Sequence, residues 1–442
     1  MLRQDSSTFW PSPERRSING WAVRAMIDPV AEARARFDAR PDNSSWMIDA
    51  SWDTTSTSTS ASPLHGLPIA VKSNYAVAGL RTLAGSAARD DGTVAEFDCP
   101  AVAALRTAGA VIVGTLNMNE LAYGFTGVNR CFGDVVNPHD ADRVAGGSSS
   151  ASAAIVGAGV LDAALGTDTN GSIRVPAALC GVWGFRPSSG SVSTEGIVPL
   201  AQTLDVPGPL TRNVDLLRAI ATALGVDTGA TAHVSARVAM LRGFPAHGAQ
   251  PAVTAAVARV AKVLGAGPTV ELDWTAAARA ASQVLTGFEA ARNHRALLAQ
   301  RPERLEPLTR ARLRAGLAVD DRWAQRAFEV RDRLRSDPDG MFEGADVIVL
   351  PSVAMTAPRR DTEFVEFNGT QESVNAALGR CTSPFSLVGA PVVSVPFSEL
   401  DDNGLPIGVQ LIGRPGLDAL VLALARVLED DGIAAAQVRP GA

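Results

Sequence analysis

The sequence predicts an α/β layered fold, one large sheet covered by helices. Three observations carry that expectation. Apolar, β-branched runs of buried-strand type recur at 68–71, 345–351 (ADVIVLP), 390–397 (APVVSVPF) and 405–412 (LPIGVQLI). Ala-, Leu- and Arg-rich stretches with helical spacing lie between such runs. The alternation spans the whole length, without an internal repeat.

Taken in order, residues 19–37 read as a helical region interrupted near Pro29. The Ser/Thr tract 51–62 (SWDTTSTSTSAS) is low complexity and reads as a surface loop. Residues 1–62 are therefore expected as an N-terminal helical region and loop, and 63–442 as the catalytic domain. From Pro63 a turn leads into the short strand 68–71, which ends at Lys72. A strand-terminal lysine is ordinarily solvated, yet the apolar run before it and Ser73-Asn74 after it point to a buried stem. Residues 99–113 give a helix and then a strand. The aromatic, turn-rich segment 115–138 suits a pocket wall.

The stretch 143–187 (RVAGGSSSASAAIVGAGVLDAALGTDTNGSIRVPAALCGVWGFRP) organises the rest. Its two small-residue turns, Gly146 to Ser150 and Thr167 to Arg174, flank an Ala/Val-rich segment, and each is expected to open an element. Glycine lets backbone amides approach a ligand, and a run of N–H groups at a helix start is an anion or oxyanion site. Gly/Ser runs are often only flexible. Here the apolar continuation (Ile155, Val156, Val160, Leu161, Leu165) and the charged pair Asp168 and Arg174 favour a packed, shaped loop. Beyond it, 205–212 (DVPGPLTR) reads as a tight loop and 214–224 as a helix. Residues 229–340 read as mostly helix, with one strand-like piece at 234–239 and no catalytic constellation; 417–428 closes as a helix.

Composition narrows the function. Of 442 residues 46% are hydrophobic and 19% charged, which fits a globular chain and excludes global disorder. A net charge of −6 offers no footprint for a polyanion, so nucleic acid is not an expected partner. The Arg-rich stretches between Arg301 and Arg335 alternate with acids and read as solvated helix faces. Cys99, Cys131, Cys180 and Cys381 form no C-x-x-C pair, which indicates reduced, buried thiols and neither a zinc site nor a disulfide scaffold. The first residues lack an apolar signal segment and no run approaches a membrane span, so a cytoplasmic protein without membrane partner is expected.

Cleaving an unactivated amide needs a nucleophile, a base, oxyanion donors and an acid for the leaving amine. The five histidines lie in turns or polar-flanked segments, and no G-x-S-x-G elbow is present. A lysine whose pKa is lowered by burial does the same work. Lysine is rare here: the chain has only Lys72 and Lys262.

The GGSSS turn with GTDTNGSIRVPAALCGVWGF resembles the amidase signature family of serine hydrolases, and NMNELAYGFTG, GPLTR, SPFSLVGAPVVSVP and LPIGVQLI extend the likeness from about Pro63 to Ile412. The resemblance implies a single mixed, twisted sheet with helices on both faces and an amidohydrolase needing no cofactor or metal. It makes Ser172 the nucleophile, Lys72 the base and Ser148 the bridge between them; the two serines are 24 positions apart, as in the family. It implies an acyl-enzyme, an oxyanion hole from the amides of Thr169, Asn170, Gly171 and Ser172, and substrate contacts from Gly147, Tyr123 and Phe125. Tyr123 and Phe125 read equally as core aromatics, and Asp168 and Arg174 as structural residues beside the site. Departures from the family pattern are Ser150-Ala151 and Asn170 where glycines are commoner, and Ser73 where Asp often follows the lysine. The added Cβ at Asn170 restricts the backbone there.

Within the family, EPLTRARLRAG, FVEFNGT and the TDTNGSIRVPAALCGVWG run most resemble hydrolases of a carboxybiuret-like ureide, which release ammonia and associate with a small partner subunit. A homo-oligomer is the other assembly expected. Two alternatives stand: a glutaminase subunit of the amidotransferase type, and a catalytically silent assembly subunit. If the substrate carries a carboxylate, Arg310, Arg312, Arg314 and Arg380 are the arginines to meet it.

Overall fold

The computed structural model describes residues 28–52, 62–229 and 236–439. Its strands are β1 (Met47–Ala50), β2 (Pro68–Lys72), β3 (Val111–Leu116), β4 (Ala163–Asp168), β5 (Trp183–Arg186), β6 (Val206–Thr211), β7 (Val238–Arg242), β8 (Val270–Glu271), β9 (Val347–Pro351), β10 (Phe364–Phe367), β11 (Thr370–Ser373), β12 (Val392–Pro396) and β13 (Gly408–Gly413). Among the described residues, eleven of them form one mixed sheet in the order β1-β3-β2-β4-β6-β5-β12-β13-β9-β7-β8, and β10 and β11 pair separately.

Successive strand residues face opposite sides of a sheet, and the core divides accordingly. Ile69, Val71 and Leu165 pack with helices Pro100–Thr107, Val214–Ala223, Pro251–Val263 and Asp418–Asp430 on one face. Ala70 and Ala164, one residue out of step, pack with Pro29–Asp38, Ser150–Gly157 and Arg174–Cys180 on the other. The Ser150–Gly157 helix (SASAAIVG) is buried along its whole length. Its small side chains let it lie close to the sheet, and Ile155 and Val156 each contribute about 1.5–3 kcal/mol by burial. Helices cover both faces of the sheet, as expected.

Several boundaries differ from the sequence reading. Pro29 does not interrupt a helix but starts one: Asp28 caps it by accepting the Val30 N–H at 2.9 Å. Residues 19–27 and most of the Ser/Thr tract lie outside the described residues. The segment before residue 63 contributes β1, which pairs with β3. The stretch 205–212 is not a loop: β6 runs antiparallel to β4 over six residue pairs. Pro207 and Pro209 are two apart, so both missing N–H groups fall on one side of the strand, where β5 pairs only with Leu210 and Thr211. The strand expected at 234–239 begins at Val238, and β8 and the β10–β11 pair were not anticipated. Of the cysteines expected to be buried, Cys131 is exposed.

Candidate active site

β2 and β4 lie side by side and parallel, with Val71 opposite Leu165. Their carboxyl ends therefore bring Lys72 and Thr167-Asp168 to the same rim, where open α/β sheets bind ligands. Lys72 is fully buried. Its Nζ lies 2.7 Å from Ser148 Oγ, 2.8 Å from Thr167 Oγ1 and 3.4 Å from the Thr167 carbonyl. Burial lowers its pKa to about 7, against the opposing pull of Asp205 and Asp168.

Asp168 is the centre of a buried ionic cluster. Arg174 Nε and Nη2 each donate to its carboxylate at 2.9 Å, and Arg186 Nη1 donates to Oδ1 at 3.1 Å and to the Asp168 carbonyl. All three side chains are fully buried. Burial alone would raise this carboxyl, but the two guanidiniums outweigh it and hold it well below the usual carboxylate range. Asp168 also accepts the amides of Gly171 at 2.8 Å and Ile173 at 3.2 Å, so it shapes the turn that presents Ser172. Asp168 and Arg174 thus brace the loop through these contacts. Arg186 completes the cluster and was not singled out by the sequence.

The two serine turns are joined through the backbone: the Ser149 N–H donates to the Ser172 carbonyl at 3.2 Å. Among the described residues no hydrogen bond links the Ser148 and Ser172 hydroxyls; Ser172 instead faces a cavity of about 170 Å3. The Gly171 N–H, expected in the oxyanion hole, is committed to Asp168. The amides of Thr169, Asn170 and Ser172 have no protein acceptor among the described residues. Gly171 has φ +134°, and a Cβ there would come within 2.2 Å of Thr382 Oγ1, so only glycine fits. Gly147 is not part of the cavity wall, against expectation. It is pressed on Asn119, whose Oδ1 would lie 2.0 Å from an added Cβ.

The Asn170 side chain, on the wall of the same cavity, reaches to the Thr275–Asn293 helix. Its amide donates to Thr286 Oγ1 at 2.8 Å, and its carbonyl oxygen accepts from Ser282. The residue that departs from glycine therefore fastens the nucleophile turn to a helix. Tyr123, Gly124 and Phe125 line the cavity together with Gln283, Thr286 and Arg312. The two aromatics stand on the cavity wall, and the stretch 229–340, expected to carry no catalytic constellation, supplies part of that wall. Arg312 donates to the Tyr123 carbonyl and its guanidinium stands 5.4 Å from the Tyr123 ring centroid. Arg380 is spoken for by Glu372 and the Pro245 carbonyl, and Arg310 by the Pro302 carbonyl; neither lines the cavity, nor does Arg314. No histidine lines it either, and His139 and His294 are lowered to about 4 by burial.

A family profile described as amidase matches residues 42–422. The chain belongs to the amidase signature family. It is accordingly an amidohydrolase acting on C–N bonds. Among members of the family, AtzE, the 1-carboxybiuret hydrolase subunit of Pseudomonas sp. (strain ADP), is 39% identical over 389 residues, covering 84% of this chain and 85% of that protein. A glutamyl-tRNA(Gln) amidotransferase subunit of Symbiobacterium thermophilum is 35% identical over 452 residues, covering 92% and 88%. A solved structure described as a vestigial protein complex revealing the evolutionary origins of an s-triazine catabolic enzyme superposes with a TM-score of 0.89 at 36% identity, covering 95% of this chain and 98% of that one. Among the described residues no helix is long and apolar enough to cross a membrane.

Proposed function

We propose that this amidase hydrolyses a small carboxylated amide or ureide of carboxybiuret type and releases ammonia through an acyl-enzyme on Ser172. The observation that carries the carboxylate is Arg312: it stands on the wall of the Ser172 cavity and forms no ion pair among the described residues. A guanidinium so placed, held over the Tyr123 ring, offers donors to a planar carboxylate.

Neutral Lys72 donates its two N–H bonds towards Thr167 and turns its lone pair to the Ser148 hydroxyl. Ser148 then takes the Ser172 proton as Ser172 attacks, a contact that tightens when substrate fills the cavity. The proton returns along the same path to the departing amine, and water cleaves the acyl-enzyme. Amides of Thr169, Asn170 and Ser172 face the developing oxyanion.

Glutamine, the substrate of the alternative reading, carries an α-ammonium group as well as a carboxylate. No Asp or Glu is among the described residues lining the cavity, so that ammonium would lose its water without a partner. A silent assembly role is disfavoured by the retained Lys72, Ser148 and Ser172. Association with a small partner subunit is part of this reading, by likeness to a relative that is itself named a subunit.

The experiment is ammonia release by the purified chain from a panel of carboxylated ureides, their uncharged counterparts and glutamine. The proposal expects kcat/KM to favour the carboxylated ureides by tenfold or more. Equal rates on the uncharged compounds, or preference for glutamine, would overturn it.

A further inference from the structure

The acids that act on Lys72 are Asp205 and Asp168. Asp168 is neutralised by Arg174 and Arg186. Asp205 forms no ion pair among the described residues, and it immediately precedes β6, the strand beside β4. Its Oδ1 accepts from Thr169 Oγ1 at 2.6 Å, and its Oδ2 accepts the amides of Leu200 and Ala201 at 2.8 and 3.0 Å.

One of those contacts reaches the nucleophile end of the proposed relay, and a cavity reaches the lysine end. Thr169 belongs to the turn that presents Ser172. A second cavity of about 140 Å3 is lined by Asp205, Asn74 and Thr167 and shares Ala122 and Leu200 with the Ser172 cavity. Thr167 is the hydroxyl that accepts from Lys72 Nζ, and Asn74 Nδ2 donates to it at 3.3 Å. Leu200, held through its amide, is wall to both cavities.

We infer that Asp205 is a positioning residue for the reaction: it anchors Thr169 beside the nucleophile and stands as the counter-charge of Lys72. The inference rests on the lysine-base reading above. Without the carboxylate, nothing unpaired opposes the loss of the lysine's charge by burial, so the amine becomes neutral at a lower pH. Without the Thr169 hydroxyl, the charge stays and the turn loosens.

The test is the pH dependence of the single-turnover acylation rate in the full chain, with folding checked by thermal melting. Asp205→Asn is expected to move the acid-side midpoint down by about one pH unit and to lower the plateau. Thr169→Val is expected to leave the midpoint and lower the plateau about tenfold, the scale of one displaced hydrogen bond. A midpoint in Asp205→Asn that coincides with the wild type, or a Thr169→Val plateau equal to the wild type, would overturn the inference. Should Asp205→Asn fail to fold, Asp205→Glu carries the test: a retained midpoint with a lowered plateau supports the inference, and a moved midpoint with a retained plateau contradicts it. A wild-type profile with no acid limb sinks the lysine-base reading itself, so the two failures are distinguishable.

Discussion

Lys72 Nζ and Ser148 Oγ stand 2.7 Å apart although 76 residues separate them in the chain. The parallel pairing of β2 with β4 sets one partner at the rim, and the buried Ser150–Gly157 helix, which starts two residues after Ser148, sets the other. A contact so over-determined by the sheet is available for chemistry without ordering cost at the moment of reaction.

Removing either hydroxyl separates the bridge from the nucleophile. Ser148→Ala should lower kcat by about 10^2 to 10^4-fold, the range of a lost general acid–base partner. Ser172→Ala should lower it on the order of 10^4 to 10^6-fold, with a melting temperature close to the wild type, because the hydroxyl faces a cavity. Steady-state ammonia release with calorimetry checks both; wild-type turnover in Ser172→Ala would exclude it as nucleophile.

Lys72 also has a stability signature. Its native pKa of about 7 lies below the ordinary 10.5, so between these values the unfolded chain binds more protons and stability rises with pH. The penalty of burying this amine is full below about pH 7, on the order of 5 kcal/mol, and is gone above about 10.5. Lys72→Met should therefore gain melting temperature relative to the wild type at pH 6 and lose most of that advantage by pH 10, while being inactive. An advantage that does not change with pH would show that the lysine is not held neutral.

Arg312→Gln should raise KM for a carboxylated substrate by roughly 10- to 100-fold, as a charge-assisted contact of about 1.5–3 kcal/mol is lost. Uncharged ureides should be unaffected. Inhibition by small dicarboxylates should weaken in parallel, and titration calorimetry reads this without turnover. A uniform loss on charged and uncharged substrates would assign Arg312 to packing on Tyr123 alone.

The lysine, the two serine turns and the Asp168–Arg174 pair were readable in the chain because each is marked locally. Lys72 ends an apolar run, the turns concentrate Gly and Ser, and Asp168 and Arg174 lie six residues apart on one loop. Arg186 and Asp205 were not, and Arg312 was only one of four candidate arginines, because sheet order and helix packing decide their roles. Arg186 meets Asp168 only because β5 and β4 both flank β6. Asp205 was hidden by Pro207 and Pro209, which disguise β6 as a loop. Arg312 is one of several arginines on the Pro307–Leu317 helix, and only the fold shows which one turns to the cavity. Gly147 misled in the opposite direction: a glycine beside the bridging serine reads as a substrate contact, but Asn119 occupies the space.

The account stands on an amine that is uncharged near neutral pH, and the acylation rate under single-turnover conditions tests it most directly. The rate on a carboxylated ureide should climb about tenfold per pH unit up to a midpoint near 7 and level off above it. A rate that stays constant down to about pH 5 would contradict a lysine base at position 72.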